Sequence, residues 1–184
     1  MSEGETIYIN LSEDPILSDY EIKVLRNNLK IQGQNQVPRD FPSFVRDGFN
    51  IKVLAEGYKL DESGLIYKDY AVGTGERPVD GQQVTFDYTG YNESGARIDN
   101  TYSRGYPAET QLGVGGLIPG FEVGLKGMQV GGRRRIIIPP ELGPPVGPST
   151  FFSAKQCEVF DVELLRVKSC RREGFAMFSG LVCE

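Results

Sequence analysis

The chain contains no histidine and no tryptophan. Without histidine there is no Ser-His or Cys-His nucleophile–base pair, and the commonest metal ligand is missing as well. No apolar run approaches the roughly 18 residues that a membrane-spanning helix needs, so no membrane span is expected. Positive charge is not in excess. Lys and Arg number 20 against 25 Asp and Glu, for a net charge of −5, and the isoelectric point is about 5.0. That balance argues against a general nucleic-acid surface, and no nucleic-acid partner is expected. The first residues, Met1-Ser2-Glu3-Gly4, are polar and acidic and show no signal or transit pattern. Cysteine is sparse, with only Cys157, Cys170 and Cys183.

What is abundant is glycine, at 23, and proline, at 11. Both cluster after residue 72, which favours many short strands joined by turns. At 184 residues the chain is long enough for one domain and an extension.

One stretch organises the rest. From Leu117 to Met128, the residues Phe121, Leu125 and Met128 recur at i, i+4 and i+7 and share one face of a short helix. Pro119 suits its first turn, where an N–H would be unpaired anyway. Gly127, Gly131 and Gly132 end it. A two-turn helix is marginal alone and must lie on a large apolar surface.

Residues 1–57 read as an extension. Ser18 to Glu21 fits a capping box, and Tyr20, Val24, Leu25 and Leu29 follow at helical spacing, which predicts a helix from about Asp19 to Ile31. Residues 41–54 are ambiguous. Phe41, Phe44, Val45 and Phe49 suit a helix, while Ile51 and Val53 alternate as in a strand. The extension is too poor in apolar residues to be a domain, and is expected to pack on the main body or on a partner. The main body, 58–168, shows strand patterns at Tyr58–Lys68, Val84–Tyr91, from Arg97, at Glu109–Leu112, Arg133–Ile138 and Glu158–Arg166. In the last of these, Phe160, Val162 and Leu164 form the expected core face. Arg133, Arg134 and Arg135 alternate in direction and are expected on a solvated edge. The sum is an α+β domain, an antiparallel sheet of about five to six strands on one short central helix. A tail, 169–184, follows; Phe175, Met177, Phe178, Leu181 and Val182 are expected to dock on the body, with a partner as the alternative.

Several blocks then stand in a familiar order. Val84 to Gly90, Gly95 with Asp99, Gln111 to Gly113, Leu117 to Met128, Gly132 with Arg135 and Ile138, and Val159 to Leu165 together resemble the FKBP-type peptidyl-prolyl cis-trans isomerases over about Ser63 to Lys168. The extension and tail look similar to plant members of the thylakoid lumen, which implies a chloroplast thylakoid-lumen location. The resemblance implies a curved sheet wrapped on the helix, no cofactor, and proline-containing polypeptide clients. The reaction needs no acid, base or metal, which suits a histidine-free chain. An X–Pro bond isomerises over roughly 20 kcal/mol, and a site need only hold the twisted amide better than the planar one.

By the same resemblance, the Ile118 N–H holds the carbonyl before proline, Leu117 lines the wall, and Phe121 forms the floor where the family usually has tryptophan. Tyr88 and Asp99 match the family's tyrosine and aspartate, and Phe160 its last-strand aromatic. For Phe121 and Phe160, plain core packing is an equal reading. For Asp99 the alternative is a strand-end carboxylate held by a turn. Ile98, Ala108 and Pro144 stand where aromatics are usual, and Phe151 or Phe152 replaces an aliphatic wall. An opened pocket and weak catalysis are expected.

Cys170 and Cys183 are the disulfide candidate, closing a loop of about 14 residues; two unrelated thiols are the alternative. Cys157 is expected to be free and partly buried. Two function classes therefore stand: a prolyl isomerase for folding clients, or a weakly catalytic chaperone or assembly factor for a multi-subunit complex. Either would be redox-regulated through Cys170 and Cys183 if a thiol-disulfide reductase served as partner.

Overall fold

The structure, a computed structural model, describes residues 4–144 and 156–184. Helix α1 (Asp19–Gln34) begins at the anticipated capping box, with Ser18 Oγ accepting from the Glu21 N–H at 3.1 Å and Glu21 Oε1 accepting from the Ser18 N–H at 3.1 Å. It runs three residues past the expected end. Gln32 is buried there, and its amide donates to the carbonyls of Pro42 and Glu93, so tertiary contacts extend the helix. The ambiguous segment is a hairpin, β2 (Ser43–Asp47) and β3 (Asn50–Ala55), turning at Gly48 with φ 62°. The helical spacing of its phenylalanines is a coincidence: Phe44 is buried while Phe49 sits exposed at the hairpin turn. Strand β1 (Thr6–Asn10), which sequence reading did not anticipate, pairs parallel to β3.

The main sheet contains β4 (Lys59–Leu60), β5 (Ile66–Ala71), β6 (Gln83–Tyr91), β7 (Arg97–Asn100), β8 (Ala108–Gln111), β9 (Arg133–Ile138) and β10 (Glu158–Lys168). Its order is β4-β5-β9-β10-β6-β7, with β8 on β6, and its pairings are antiparallel. Seven strands form where about five to six were expected; Tyr58–Lys68, read as strand, turn and strand, supplies β4 and the start of β5. Two helices serve it: α2 (Thr101–Arg104) and α3 (Pro119–Lys126).

Helix α3 lies on one sheet face. Phe121, Leu125 and the following Met128 bury against Phe86, Ile136, Ile138, Val162 and Leu164. Gly120 and Gly124 let it come close. A Cβ at Gly124 would sit 3.0 Å from Ile136 Cγ2, and one at Gly120 would sit 2.6 Å from Ile138 Cγ2. The opposite face is also buried, which corrects the expectation of a single core face. Val159 and Ile137 pack there with Tyr91, and with Phe44, Ile51 and Val53 of the extension. The extension therefore packs on the body. Glu93, in the β6–β7 turn, ties it down by pairing with Arg46 at 3.0 Å and accepting the Cys157 N–H at 2.7 Å.

The arginine run also departs from expectation. Arg133 is exposed, but Arg134 and Arg135 are only 8% and 5% exposed. The reason is position: β9 lies between β5 and β10 and has no solvated edge. Arg134 turns toward α3. It holds Asp69 through Nε at 2.6 Å and donates to the carbonyls of Gly124 at 3.0 Å and Gly127 at 3.2 Å, satisfying the helix C-terminus. Arg135 turns the other way, to Asp161 at 2.6 Å and the Arg39 carbonyl of the extension at 3.1 Å.

The tail forms a hairpin, β11 (Cys170–Glu173) and β12 (Gly180–Cys183), with Cys170 and Cys183 joined as a disulfide. Its apolar residues do not dock on the body, contrary to expectation. Phe175, Met177 and Phe178 are 86%, 87% and 83% exposed. The hairpin closes on itself instead: a Cβ at Gly174 (φ 109°) would lie 2.4 Å from the Phe178 carbonyl oxygen. Cys157 is free, and it is fully rather than partly buried. The Phe151 and Phe152 expectation lies outside the described residues.

Removing one partner of a buried ion pair leaves the other charge uncompensated. Asp161→Ala and Asp69→Ala are each expected to lower unfolding free energy by about 3 kcal/mol, read from urea transitions. A loss below about 1 kcal/mol would mean the pairs behave as surface pairs.

Candidate active site

Where β6, β10 and the start of α3 meet, four aromatic rings pack together. Phe121 lies 5.0 Å from Phe160 and 5.7 Å from Tyr88 between ring centroids, both edge-to-face, and 5.2 Å from Phe86. Tyr88 and Phe160 are 5.9 Å apart. Such geometry is favourable beyond the area buried. Phe121 and Phe160 are buried, whereas Tyr88 is half-buried. Gly90 makes the arrangement possible. It faces Phe160 in the β6–β10 register, and a Cβ there would lie 2.7 Å from Phe160 Cε1 and 3.3 Å from Ile98 Cγ1.

A polar corner adjoins the cluster. The Tyr88 hydroxyl donates a hydrogen bond to Asp99 Oδ2 and accepts from Arg104 Nη2 at 2.7 Å. Arg104 also reaches Asp99 at 3.5 Å. The one-turn helix α2 delivers Arg104. It is capped by the Asn100 side chain and ended by Gly105 in the left-handed region. Thr101 Oγ1 accepts the Tyr88 N–H at 2.9 Å and donates to Asp87, fixing β6 against α2. Burial and the neighbouring Asp99 carboxylate raise the Tyr88 phenol pKa, while the Tyr88 hydrogen bond lowers that of Asp99. Asp99 is also held locally by the Asn100 N–H at 2.8 Å, so it is both a turn-held carboxylate and a member of the corner.

Leu117 and Ile118 enter the site from the chain before α3. Proline at 119 restricts Ile118 to extended backbone, and φ is −64° with ψ 148°. The Ile118 carbonyl accepts from Phe121 and Glu122, but among the described residues its N–H has no acceptor. Both side chains are half-buried against the core. The loop before them is fixed by Glu122 Oε1, which accepts the Gly113 N–H at 3.0 Å.

The expected residues Tyr88, Asp99, Phe121 and Phe160 are thus brought into one cluster, and Ile98 borders it through Gly90. Ile98 is 50% exposed and supplies only an aliphatic edge. Ala108 is a half-buried β8 residue opposite Phe86, and Pro144 is half-buried. Sequence reading missed Arg104 and Gly90. A basic residue five positions after Asp99, just before a glycine, was the available signal for the first. Cross-strand register, invisible in one sequence, was needed for the second. On the opposite sheet face a cleft of about 800 Å³ is lined by Arg39, Asp40, Lys68, Tyr70 and Arg135. Some of its charges are paired, Lys68 with Asp40 and Arg135 with Asp161, each at 2.6 Å. Pro38, Tyr102 and Val162 also line it, but the Phe121–Phe160–Tyr88 ring cluster lies elsewhere. Among the described residues no metal-holding group of His, Cys, Asp and Glu occurs.

The profile of the FKBP-type peptidyl-prolyl cis-trans isomerases matches residues 74–165. The chain belongs to that family. Peptidyl-prolyl cis-trans isomerase FKBP20-2, chloroplastic, of Arabidopsis thaliana is 59% identical over 166 residues, covering 89% of this chain and 69% of that protein. Among solved structures, FkpA from Escherichia coli is similar with a TM-score of 0.54 and 30% identity, over 81% of this chain and 61% of that one. The present chain thus spans less than two thirds of that crystallised FkpA chain. The crystal structure of AtFKBP13 is similar with a TM-score of 0.52 and 32% identity, over 59% of this chain and 97% of that one.

Because the Asp99 pKa is lowered in the folded protein, its stabilising contribution is complete above the ordinary carboxylate range and is lost as pH falls through the lower native value. In Tyr88→Phe the Asp99 carboxyl is expected to titrate at higher pH, toward the ordinary aspartate range. Carbon-detected NMR titration reads this directly; an unchanged Asp99 would assign its depression to Asn100 and Arg104 alone.

Proposed function

We propose that this chain is a prolyl isomerase for proline-containing polypeptides, with Phe121, Phe160 and Tyr88 as the pocket for the prolyl ring. The Ile118 N–H would be the donor to the carbonyl before it. One observation supports this above the others: an extended Ile118 whose N–H has no acceptor among the described residues, beside an aromatic cluster. An amide twisted out of plane loses its resonance charge separation. An apolar surface therefore favours it over the planar form, and a fixed N–H holds the carbonyl while the bond turns. Nothing in this scheme transfers a proton, so the lack of histidine costs it nothing. Leu117 closes one wall, and the Tyr88–Asp99–Arg104 corner stiffens the other.

Catalysis is proposed to be weak. Ile98 and Ala108 replace large rings with small or aliphatic groups, and each missing aromatic removes burial that would grip proline. In a protease-coupled assay on an Ala-Leu-Pro-Phe peptide, turnover is expected to sit at least tenfold below vigorous family members. Phe121→Ala should lower kcat/KM at least a further tenfold, unless the pocket is elsewhere. Turnover at ordinary family level would contradict the depleted pocket.

The exposed Cys170–Cys183 hairpin favours a second reading: a redox-responsive chaperone or assembly factor for a multi-subunit complex, with a thiol-disulfide reductase as partner. The chloroplastic names of similar proteins support a chloroplast location, and the thylakoid lumen is the finer proposal. Denatured without reductant, the isolated protein is expected to take one alkyl label, on Cys157, and three after reduction. Three labels without reductant would exclude the bridge. An assembly factor should lose function when residues 169–184 are removed; an isomerase should not.

A further inference from the structure

The tail hairpin carries a feature that the prolyl site does not use. Phe175, Met177 and Phe178 stand together on its turn, almost fully exposed. The turn is built to hold them out. Gly174 sits where any side chain would strike the Phe178 carbonyl, and the Phe178 N–H donates to the Phe175 carbonyl at 3.0 Å. At the other end the hairpin is closed by the disulfide and by reciprocal backbone bonds between Ser169 and Glu184. Neither β11 nor β12 has a second neighbour among the described residues, so both edges offer free backbone groups. The result is a stiff, convex, apolar tip flanked by two open strand edges.

We propose that this hairpin is a second binding element for unfolded polypeptide, capturing apolar segments of the same clients whose X–Pro bonds the pocket turns. Three observations favour that occupant. A convex tip needs no partner pocket if the partner is an extended chain with its own apolar side chains exposed. Open edges pair with any extended backbone, whatever its sequence. The hairpin follows β10 after a single residue, Ser169, so it is continuous with the strand that carries Phe160. A lipid surface fits less well. The chain carries a net charge of −5, and Arg171 is paired with both Glu173 and Glu184.

The spacing sets the kind of client. Fifteen residues separate Phe160 from Phe175 at the tip, at most about 50 Å of extended chain. An extended client covers that in about fifteen residues. A client with an apolar segment about fifteen or more residues from a proline can therefore engage both elements, and the first contact raises the effective concentration of the second. This deepens the isomerase proposal and, in its kinetic part, rests on it.

The test uses the full oxidised chain and the triple variant Phe175→Ser, Met177→Ser, Phe178→Ser, whose unchanged melting would show that the fold is kept. The binding probe is fluorescein-labelled, reduced and carboxymethylated α-lactalbumin, read by anisotropy. The variant is expected to bind it at least tenfold more weakly. The kinetic probes are an Ala-Leu-Pro-Phe tetrapeptide and an unstructured 25-residue peptide carrying the same four residues and a Phe-Leu-Phe segment fifteen residues away. The variant should match the parent within about twofold on the tetrapeptide and lose the long peptide's advantage in KM. Equal α-lactalbumin binding by parent and variant overturns the proposal. So does loss, in the variant, of self-association in sedimentation or of binding to phosphatidylglycerol and galactolipid vesicles, with α-lactalbumin binding intact. If neither protein turns over either peptide, the isomerase proposal fails, while the anisotropy still decides the hairpin's role.

Discussion

Two adjacent arginines on β9 hold the molecule together from its middle. Strand alternation sends Arg134 to one sheet face and Arg135 to the other. Arg134 fastens helix α3 by its C-terminal carbonyls while Asp69 neutralises it. Arg135 fastens the extension through the Arg39 carbonyl while Asp161 neutralises it. A guanidinium buried this deeply is tolerable only with its donors used and its charge matched, so each arginine fixes several elements at once. The aromatic cluster depends on the first of these: α3 brings Phe121 to Phe160 and Tyr88 because its far end is anchored. The extension depends on the second.

The sheet is consequently a three-layer centre rather than a surface with one buried side. Helix α3 covers one face, with Gly120 and Gly124 allowing close approach. The β1-β3-β2 sheet covers the other, with Ile51 and Val53 against Ile137 and Val159. Burial on both faces explains the run Ile136-Ile137-Ile138, whose alternate residues enter different cores. Function divides along the same layers. The apolar layer by α3 is the proposed site for a twisted amide, the outer cleft holds ion pairs such as Lys68 with Asp40, and the tail stands apart as an apolar projection.

Much of this was legible in the residues themselves. The capping box at Ser18–Glu21, the spacing of Phe121, Leu125 and Met128, and the alternation of β6 and β10 are local patterns that local backbone geometry must obey. They placed α1, α3 and most of the main sheet, while Tyr88, Asp99, Ile118, Phe121 and Phe160 were singled out by resemblance to the FKBP-type isomerases. The misreadings were of another kind. Arg134 and Arg135 read as surface because charge normally is. Phe175, Met177 and Phe178 read as docked because large apolar groups normally are. Neither rule carries information about which strands become neighbours.

By itself the sequence determined most of the main-body elements and their order, since helical and strand periodicity act within a few residues; the groups proposed to meet a prolyl bond came from resemblance to the FKBP-type family. Tertiary structure alone decided that β9 is central, that both faces of the sheet are buried, that Gly90 yields its space to Phe160 and Ile98, and that Arg104 completes the Tyr88–Asp99 corner. Each of these depends on which strands are paired and in what register. Pairing is a contest among distant segments for one common burial, and no short stretch of the chain records its outcome.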